Sequence, residues 1–354
     1  MDSYTLLETL CNIPGIPGFE DDVRTAIAGI VKPFVDDLQV DSLGNLLVTR
    51  RGKSDFKLML DAHMDEIGFM VQHVDESGFI RFTPIGGWDA RLLPSHMLTV
   101  VTRDGKRIEG VIGAQPPHIT RPTEREKTIP VEDLFLDVGV TTHAEVAALG
   151  VRVGDQIVLH YPFRRISGDA VMGKALDDRA GCAVLVRTLE ALQHADVEAT
   201  IVGAFVISEE RGLIGARTAA YQIEPHMAIA LEGTVAADTP GVAEGRRVTT
   251  QGRGPAITVA DGNFIVPPRM VRALENVAVR EGIPYQIKVP PFGGTDAGAI
   301  HQSRGGVVSG VLSVPCRYIH SPFSVCRLGD FDATWRLLAA FCKDAVTVAG
   351  NRPH

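Results

Sequence analysis

The chain has 354 residues, with 35 Lys and Arg against 43 Asp and Glu and a formal net charge of −8. At roughly 150 residues per domain this length predicts two domains, and a content of 45% hydrophobic and 22% charged residues excludes disordered and fibrous chains. The acidic balance, without any run of Lys or Arg, argues against a nucleic-acid partner, because phosphate binding needs clustered positive charge.

No window approaches the roughly 18 uninterrupted apolar residues of a membrane span. Met1-Asp2-Ser3 lacks the basic start and apolar run of a secretory signal, so a cytoplasmic location is expected. The five cysteines, Cys11, Cys182, Cys316, Cys326 and Cys342, form neither a disulfide framework nor a CxxC pair and read as reduced, mostly buried thiols.

In chain order, Ser3 is the expected cap of a helix over Tyr4 to Leu10, and Phe19 to Phe34 carries apolar residues at helical spacing behind Glu20, Asp21 and Asp22. Short strands are expected at Leu38 to Val40, Leu46 to Thr49 and Leu58 to Asp61, separated by turn signals. From about Val71 to His160 brief β-type runs (Met97 to Thr102, Arg107 to Ile112, Gln156 to His160) alternate with Gly and Pro, as in a small β-rich domain. After Gly168 the pattern becomes helix Asp178 to Gln193, strand Ala199 to Ile207, helix Gly212 to Tyr221 and strand His226 to Leu231, the rhythm of a parallel sheet. Helices at Pro267 to Glu281 and Asp330 to Val348 flank strands at Tyr285 to Val289 and Gly306 to Val311. The expected architecture is one discontinuous α/β domain, residues 1–70 and 165–354, with a β domain inserted at 71–164.

Five motifs carry chemistry. Leu60-Asp61-Ala62-His63-Met64-Asp65-Glu66 ends a strand in one His and three acids, and in such an H-x-D arrangement the imidazole can bind a metal while a carboxylate orients the ring. Gly173-Lys174-Ala175-Leu176-Asp177-Asp178 opens a helix, where acids either complement the helix dipole or bridge cations. Ser208-Glu209-Glu210-Arg211 follows a strand, and one glutamate can ligate while its neighbour stays free as a general base. Glu232 directly follows the apolar run Met227 to Leu231, and His320 sits in the loop Pro315-Cys316-Arg317-Tyr318-Ile319-His320-Ser321-Pro322. Each alone is equally a cap or a solvated turn. Together, His63, Asp177, Glu210, Glu232 and His320 are a mixed N/O donor set for two cations sharing one carboxylate, suited to zinc, cobalt or manganese without any thiolate.

The motifs LDAHMDEIGF, GKALDDRAG, ISEERGLIGA, LEGTVAADTPG, GGTDAG and VPCRYIHS, spread from residue 60 to residue 321, resemble the dinuclear-metal aminopeptidases of the glutamyl/deblocking family, some of which build tetrahedral assemblies. The resemblance implies a zinc-peptidase-like, mostly parallel sheet flanked by helices, with an inserted small β-barrel. It implies one cation held by His63, Asp177 and Glu232 and another by Asp177, Glu210 and His320, with Glu209 as general base and Asp65 supporting His63. Many relatives carry Asp where this chain has Glu232, whose longer reach can alter metal preference or the seat of the substrate amine.

The expected activity is release of N-terminal residues from short peptides. Glycoside hydrolysis by paired carboxylates and a non-catalytic scaffold are the competing functions. The GGTDAG segment reads equally as a wall of the substrate site or as a turn opening a helix, and Gly86-Gly87-Trp88 as a packing turn. His73, His96, His118 and His143 read as structural or surface residues. Gly86-Gly87-Trp88 and Arg91-Leu92-Leu93-Pro94 offer the inserted domain more apolar surface than a small barrel uses for itself, so part of it is expected to pack against another subunit; the resemblance implies a dodecamer built from dimers, with a smaller oligomer under some metal conditions as the alternative.

Overall fold

The computed structural model describes residues 1–116, 118–121, 123, 127–288 and 293–350. Helices α1 (Ser3–Cys11) and α2 (Asp21–Val31) precede strands β1 (Asp37–Val40), β2 (Leu46–Arg50) and β3 (Lys57–His63). Six strands follow, β4 (Gly68–Val74), β5 (Ile80–Ile85), β6 (Met97–Val101), β7 (Arg107–Ile112), β8 (Leu136–Asp137) and β9 (Gln156–Leu159), with helix α3 (His143–Leu149) before the last. Strands β10 (Arg164–Ser167) and β11 (Ala170–Gly173) lead to α4 (Leu176–Leu192), β12 (Thr200–Val206), α5 (Ile214–Ile223) and β13 (Met227–Val235). The chain continues through β14 (Ala256–Thr258), α6 (Pro268–Glu281), β15 (Gln286–Lys288), α7 (Asp296–His301), β16 (Val308–Cys316), β17 (Ser324–Arg327) and α8 (Leu328–Gly350).

Eight strands form one sheet in the order β1-β2-β12-β3-β13-β16-β14-β15. Its centre, β12-β3-β13-β16, is parallel, whereas β2 and β14 pair antiparallel to their inner neighbours. The sheet is therefore mixed, with a parallel centre. Both of its faces are covered: Leu58, Leu60 and Ala62 of β3 join a core with α1, α2, α4, α6 and α8, while Met59 packs with Ala216, Ala219 and Ala220 of α5 and Ile300 of α7. Burial on both faces explains why β3 reads as a continuous apolar run, not as an alternation. Strands β4-β5-β8-β7-β6-β9 close into a barrel with its own core, including Phe69, Phe82, Leu98, Ile112 and Ile157. In sequence the barrel lies between β3 and β12, so the sheet is assembled from both ends of the chain.

Several local expectations are corrected. Asp2, not Ser3, caps α1, its carboxylate accepting the Thr5 N–H at 3.0 Å, while the Ser3 hydroxyl donates to Asp332. Strand β13 runs on to Val235, so Glu232 lies inside the strand and not after it. Strand β16 reaches Cys316 through Pro315. A proline is tolerated there because β14 stops pairing at Ser313, leaving no ladder partner on that side for the missing N–H. Trp88 stacks on Phe69 and Leu93 is fully buried, so neither belongs to the free apolar surface expected of the inserted region. All five cysteines are free and buried. The strand expected at Tyr285 to Val289 is present as β15, with Val289 outside the described residues.

Candidate metal centre

Parallel strands end together, and the ends of β3, β12 and β13 converge beside the start of α4 and the loop between β16 and β17. His63 is the last residue of β3. Its Nδ1 lies 3.2 Å from the Asp65 carbonyl and 3.5 Å from Asp65 Oδ1, which turns Nε2 toward Asp177 Oδ1 at 3.5 Å, Glu232 Oε2 at 3.8 Å and Glu209 Oε2 at 4.0 Å. His320 is oriented in the same way from the other side: its Nδ1 lies 3.0 Å from the Gly87 carbonyl oxygen, and its Nε2 faces Glu210 Oε1 at 3.6 Å and Asp177 Oδ2 at 3.7 Å.

These separations are long for hydrogen bonds. They suit two atoms sharing one cation, since ligands each about 2 Å from a tetrahedral metal stand about 3.3 Å apart. Asp177, Glu210 and His320 form one such cluster, and His63, Glu232 and Asp178 form another.

Backbone geometry serves these placements. Asp177 and Asp178 have non-helical φ/ψ at the head of α4, and Glu209 to Arg211 form a 3-10 turn after β12. Ala175, Ser208 and His320 adopt positive φ without being glycine, a costly conformation that clusters at functional sites. A Cβ on Gly233 would meet the Leu176 carbonyl at 2.9 Å and Asp177 Cα at 3.1 Å, so glycine lets β13 approach the Asp177 turn. The acids after β12 are held by Asp65, whose two oxygens accept the backbone N–H groups of Glu209 and Glu210, each at 3.0 Å. Behind this layer the fully buried Arg179 donates to the carbonyls of Met64, Leu10 and Ile13, and Lys174 pairs with Glu66, tying the N-terminal segment to the loop after His63.

The electrostatics follow from crowding. Burial, reinforced by neighbouring carboxylates, pushes Glu209 and Glu210 each up to about 8 and raises Glu232 and Asp178 well above the ordinary carboxylate range. Burial alone would depress His63, but the carboxylates of Asp177 and Asp65 outweigh it and hold that imidazole well above its usual value. Glu232 Oε1 and Asp178 Oδ2 are buried without a hydrogen-bond partner. Surplus buried acid with orphaned oxygens is what divalent cations relieve, so the residues fit such a group.

Stability should record this. Acids whose folded pKa lies above their unfolded value of about 4.5 leave the folded chain holding more protons than the unfolded one. The metal-free protein therefore loses stability as pH rises from about 4.5 to about 8, and the raised His63 acts in the same direction. Ligation favours the deprotonated groups, so the rise in melting temperature on metal addition should be larger at pH 8 than at pH 6. Calorimetry finding the same metal-induced shift at both values would contradict the crowding.

Four residues, all inside quoted motifs, take places at the centre that spacing alone did not assign. Asp178 lies with His63 and Glu232, one oxygen accepting the Gly181 N–H at 2.9 Å. Gly87 reaches in from the barrel, although its neighbour Trp88 is a packing residue donating to the carbonyls of Gly68 and Ile85. Asp61 and Asp296 form a buried carboxyl pair beneath the site, Asp61 pushed up to about 7 chiefly by burial. The Asp of GGTDAG thus both opens α7 and underlies the centre.

Comparison with known proteins bears directly on this site. The family described as M42 glutamyl aminopeptidase matches residues 44–337. The chain belongs to that family. It is accordingly an aminopeptidase, a hydrolase, and peptidases of this family are metal-dependent. A TET aminopeptidase from a marine-sediment Thaumarchaeota archaeon is 35% identical over 98% of either chain, with a TM-score of 0.94. A Pyrococcus horikoshii TET1 peptidase that assembles into a tetrahedron or an octahedral shell is 33% identical over 96% of this chain and 99% of its own, with a TM-score of 0.85. A lysyl aminopeptidase of Pyrococcus furiosus is 31% identical over 97% of this chain and 98% of its own. Glutamyl and lysyl specificities therefore both occur among the chain's relatives.

Proposed function

We propose that this aminopeptidase releases N-terminal residues from short peptides at a pair of divalent cations, with Glu209 as the general base. The observation that carries the reading is the carboxylate of Asp177, whose two oxygens face two different imidazoles at 3.5 and 3.7 Å, the disposition of a ligand shared by two sites. In this reading His63, Asp177 and Glu232 hold one cation and Asp177, Glu210 and His320 the other. Zinc or cobalt come first and manganese next for such an N/O donor set.

Cations held by these residues would polarise the scissile carbonyl, lower the pKa of water and favour the ionised form of Glu209. Glu209 then accepts the proton of the attacking water and delivers it to the leaving amine. Glu232 flanks the seat of the substrate's free α-amino group, which favours cleavage at chain ends over internal cleavage. Asp65 acts one step back, holding His63 and the Glu209-Glu210 turn together.

Chromogenic aminoacyl substrates test the reading. Hydrolysis should require a free α-amine, stop with chelator and return with zinc or cobalt; equal cleavage of N-acetylated substrates would remove the end-specific chemistry. Asp65→Asn leaves one of the two backbone N–H groups without an acceptor and should weaken metal affinity or activity by roughly 10–100-fold. That loss is milder than His63→Ala. If the two variants prove equally metal-free, Asp65 is itself a ligand.

In the same reading residues 71–164 form an oligomerisation domain on the catalytic unit of residues 1–70 and 165–354. Dimers built through it close into a dodecamer that admits short, unfolded peptides in the cytoplasm. The support is the assembly of the P. horikoshii relative together with exposed Leu92, Met97, Val111 and Val153 on the barrel. Among the described residues no helix is long and apolar enough to cross a membrane. Light scattering of metal-loaded protein should give a dodecamer mass, and a strictly monomeric mass at micromolar concentration would sink the assembly.

A further inference from the structure

The loop that carries His320 is flanked by two cysteines, Cys316 at the end of β16 and Cys326 within β17. Arg317 and Val325 close the base of that loop as an antiparallel bridge. Each donates its N–H to the other's carbonyl, at 2.8 and 3.0 Å. A pair that exchanges both bonds is followed by a non-hydrogen-bonded pair, in which the Cα atoms approach to about 4.5 Å and the side chains share a face. Cys316 and Cys326 occupy that next position. A disulfide accepts Cα separations of roughly 4.4–6.8 Å, so the backbone here already has the spacing a bridge requires.

The side chains agree with the register. Both cysteines are completely buried in one core, and the Cys326 thiol is the leading influence on Cys316, ahead of burial itself. The Gln251 amide donates to the carbonyls of Pro315 and Val325, clamping the two strands beside this pair. The other thiols are placed differently. Cys182 donates to the His63 carbonyl at 3.1 Å, Cys342 has no cysteine among the groups that influence it, and Cys11 feels Cys326 only after burial and the cations Arg179 and Lys174.

We propose that Cys316 and Cys326 are a site of reversible oxidation, joined by a disulfide across the base of loop 317–325 when a peroxide is present. One sulfur attacks hydrogen peroxide, forming an S–O bond as the O–O bond breaks, and the first water leaves. The second sulfur attacks that sulfenic acid, forming the S–S bond as the S–O bond breaks, and the second water leaves. The two thiols have lost two electrons and the peroxide has gained them; a dithiol reverses the step. Because both sulfurs are buried, peroxide reaches them when the loop base opens locally, and the reaction is slower than at an exposed thiol. The consequence for the centre rests on the reading above, in which His320 holds a cation: a covalent loop base keeps His320 in place and slows loss of that ion.

The experiment treats the full-length protein with hydrogen peroxide, with dithiothreitol as the reducing control, then unfolds it, alkylates the remaining thiols and maps the peptides by mass spectrometry. Two of the five thiols should escape alkylation, a single Cys316–Cys326 cross-link should appear, and dithiothreitol should remove it. Oxidised metal-free protein should melt about 5 °C above the reduced form, the order expected from closing a short loop in a chain of this size. Cys316→Ala and Cys326→Ala should each abolish both the cross-link and the gain. Should either variant fail to fold, the mapping in the native sequence decides alone.

A bridge mapped to Cys11, oxidation that stops at sulfinic acid, or five thiols still open to alkylation after peroxide treatment of the metal-free protein overturns the proposal. Release of metal to a chelator supplies the second arm, and it should be slower from oxidised than from reduced protein. A bridge that forms and raises the melt while leaving metal release unchanged keeps the disulfide and overturns its coupling to His320, so the failure of the metal reading is told apart from the failure of the oxidation site.

Discussion

Glu209→Gln is expected to retain both cations and the fold while turnover falls by at least roughly 10²–10⁴-fold, the range for a lost general base. The substitution conserves shape, and the backbone N–H of residue 209 still donates to Asp65 Oδ1, as it does at 3.0 Å in the native chain. What disappears is a group able to accept a proton. The effect should fall on kcat far more than on KM, because the amide still fills its place beside the substrate. In the metal-free protein the variant should also be the more stable at pH 8, since one raised acid has left a cluster in which Glu210, Asp65 and Asp177 all push Glu209 upward. Metal analysis and steady-state kinetics together decide the matter: near-wild-type turnover in a fully metallated variant moves the base to another residue.

The parts of the fold that could be read in advance are those governed by periodicity. The helices α2, α4, α6 and α8 and the central strands β3, β12 and β13 arise at the expected places because their apolar spacing reports a core that really is there. The discrepancies have local causes. Asp2 outcompetes Ser3 as a cap because its carboxylate accepts both the N–H and the hydroxyl of Thr5. The extension of β16 was hidden by Ser309, Gly310, Ser313 and Pro315, residues that interrupt an apolar run yet suit a strand whose outer neighbour is short. Glu232 looked like a strand-end acid because a charge usually marks the end of a buried run; here the strand carries it inward to face His63.

The candidate centre was legible to the extent that its groups follow strands. His63, Glu209 and Glu210 announce themselves by ending apolar runs, and Asp177 by opening a helix. Asp178 lay in plain sight beside Asp177, but spacing alone gives adjacent acids no preference for one role. The contribution of Gly87 is a backbone carbonyl from the barrel, a group every residue possesses, so no side-chain pattern could reveal it.

Asp177→Ala should damage the centre more than any other ligand replacement, because both imidazoles turn their Nε2 atoms to this one carboxylate. In the proposed reading, removing His63 or His320 would take a donor from one cation, whereas removing Asp177 would take one from each. The two high-affinity sites should therefore be lost together, and activity with them. Misfolding would mimic that result, and the structure separates the two. Asp177 is one of the charges that raise Glu209, Glu210 and Glu232, so its removal relieves repulsion in the metal-free chain. The substitution also removes the carboxylate that faces His63 and His320, so the two effects offset and the metal-free variant should still give a native circular dichroism spectrum and a cooperative melt. A titration that finds one intact high-affinity site in a folded Asp177→Ala protein would assign the carboxylate to a single cation and dissolve the shared centre.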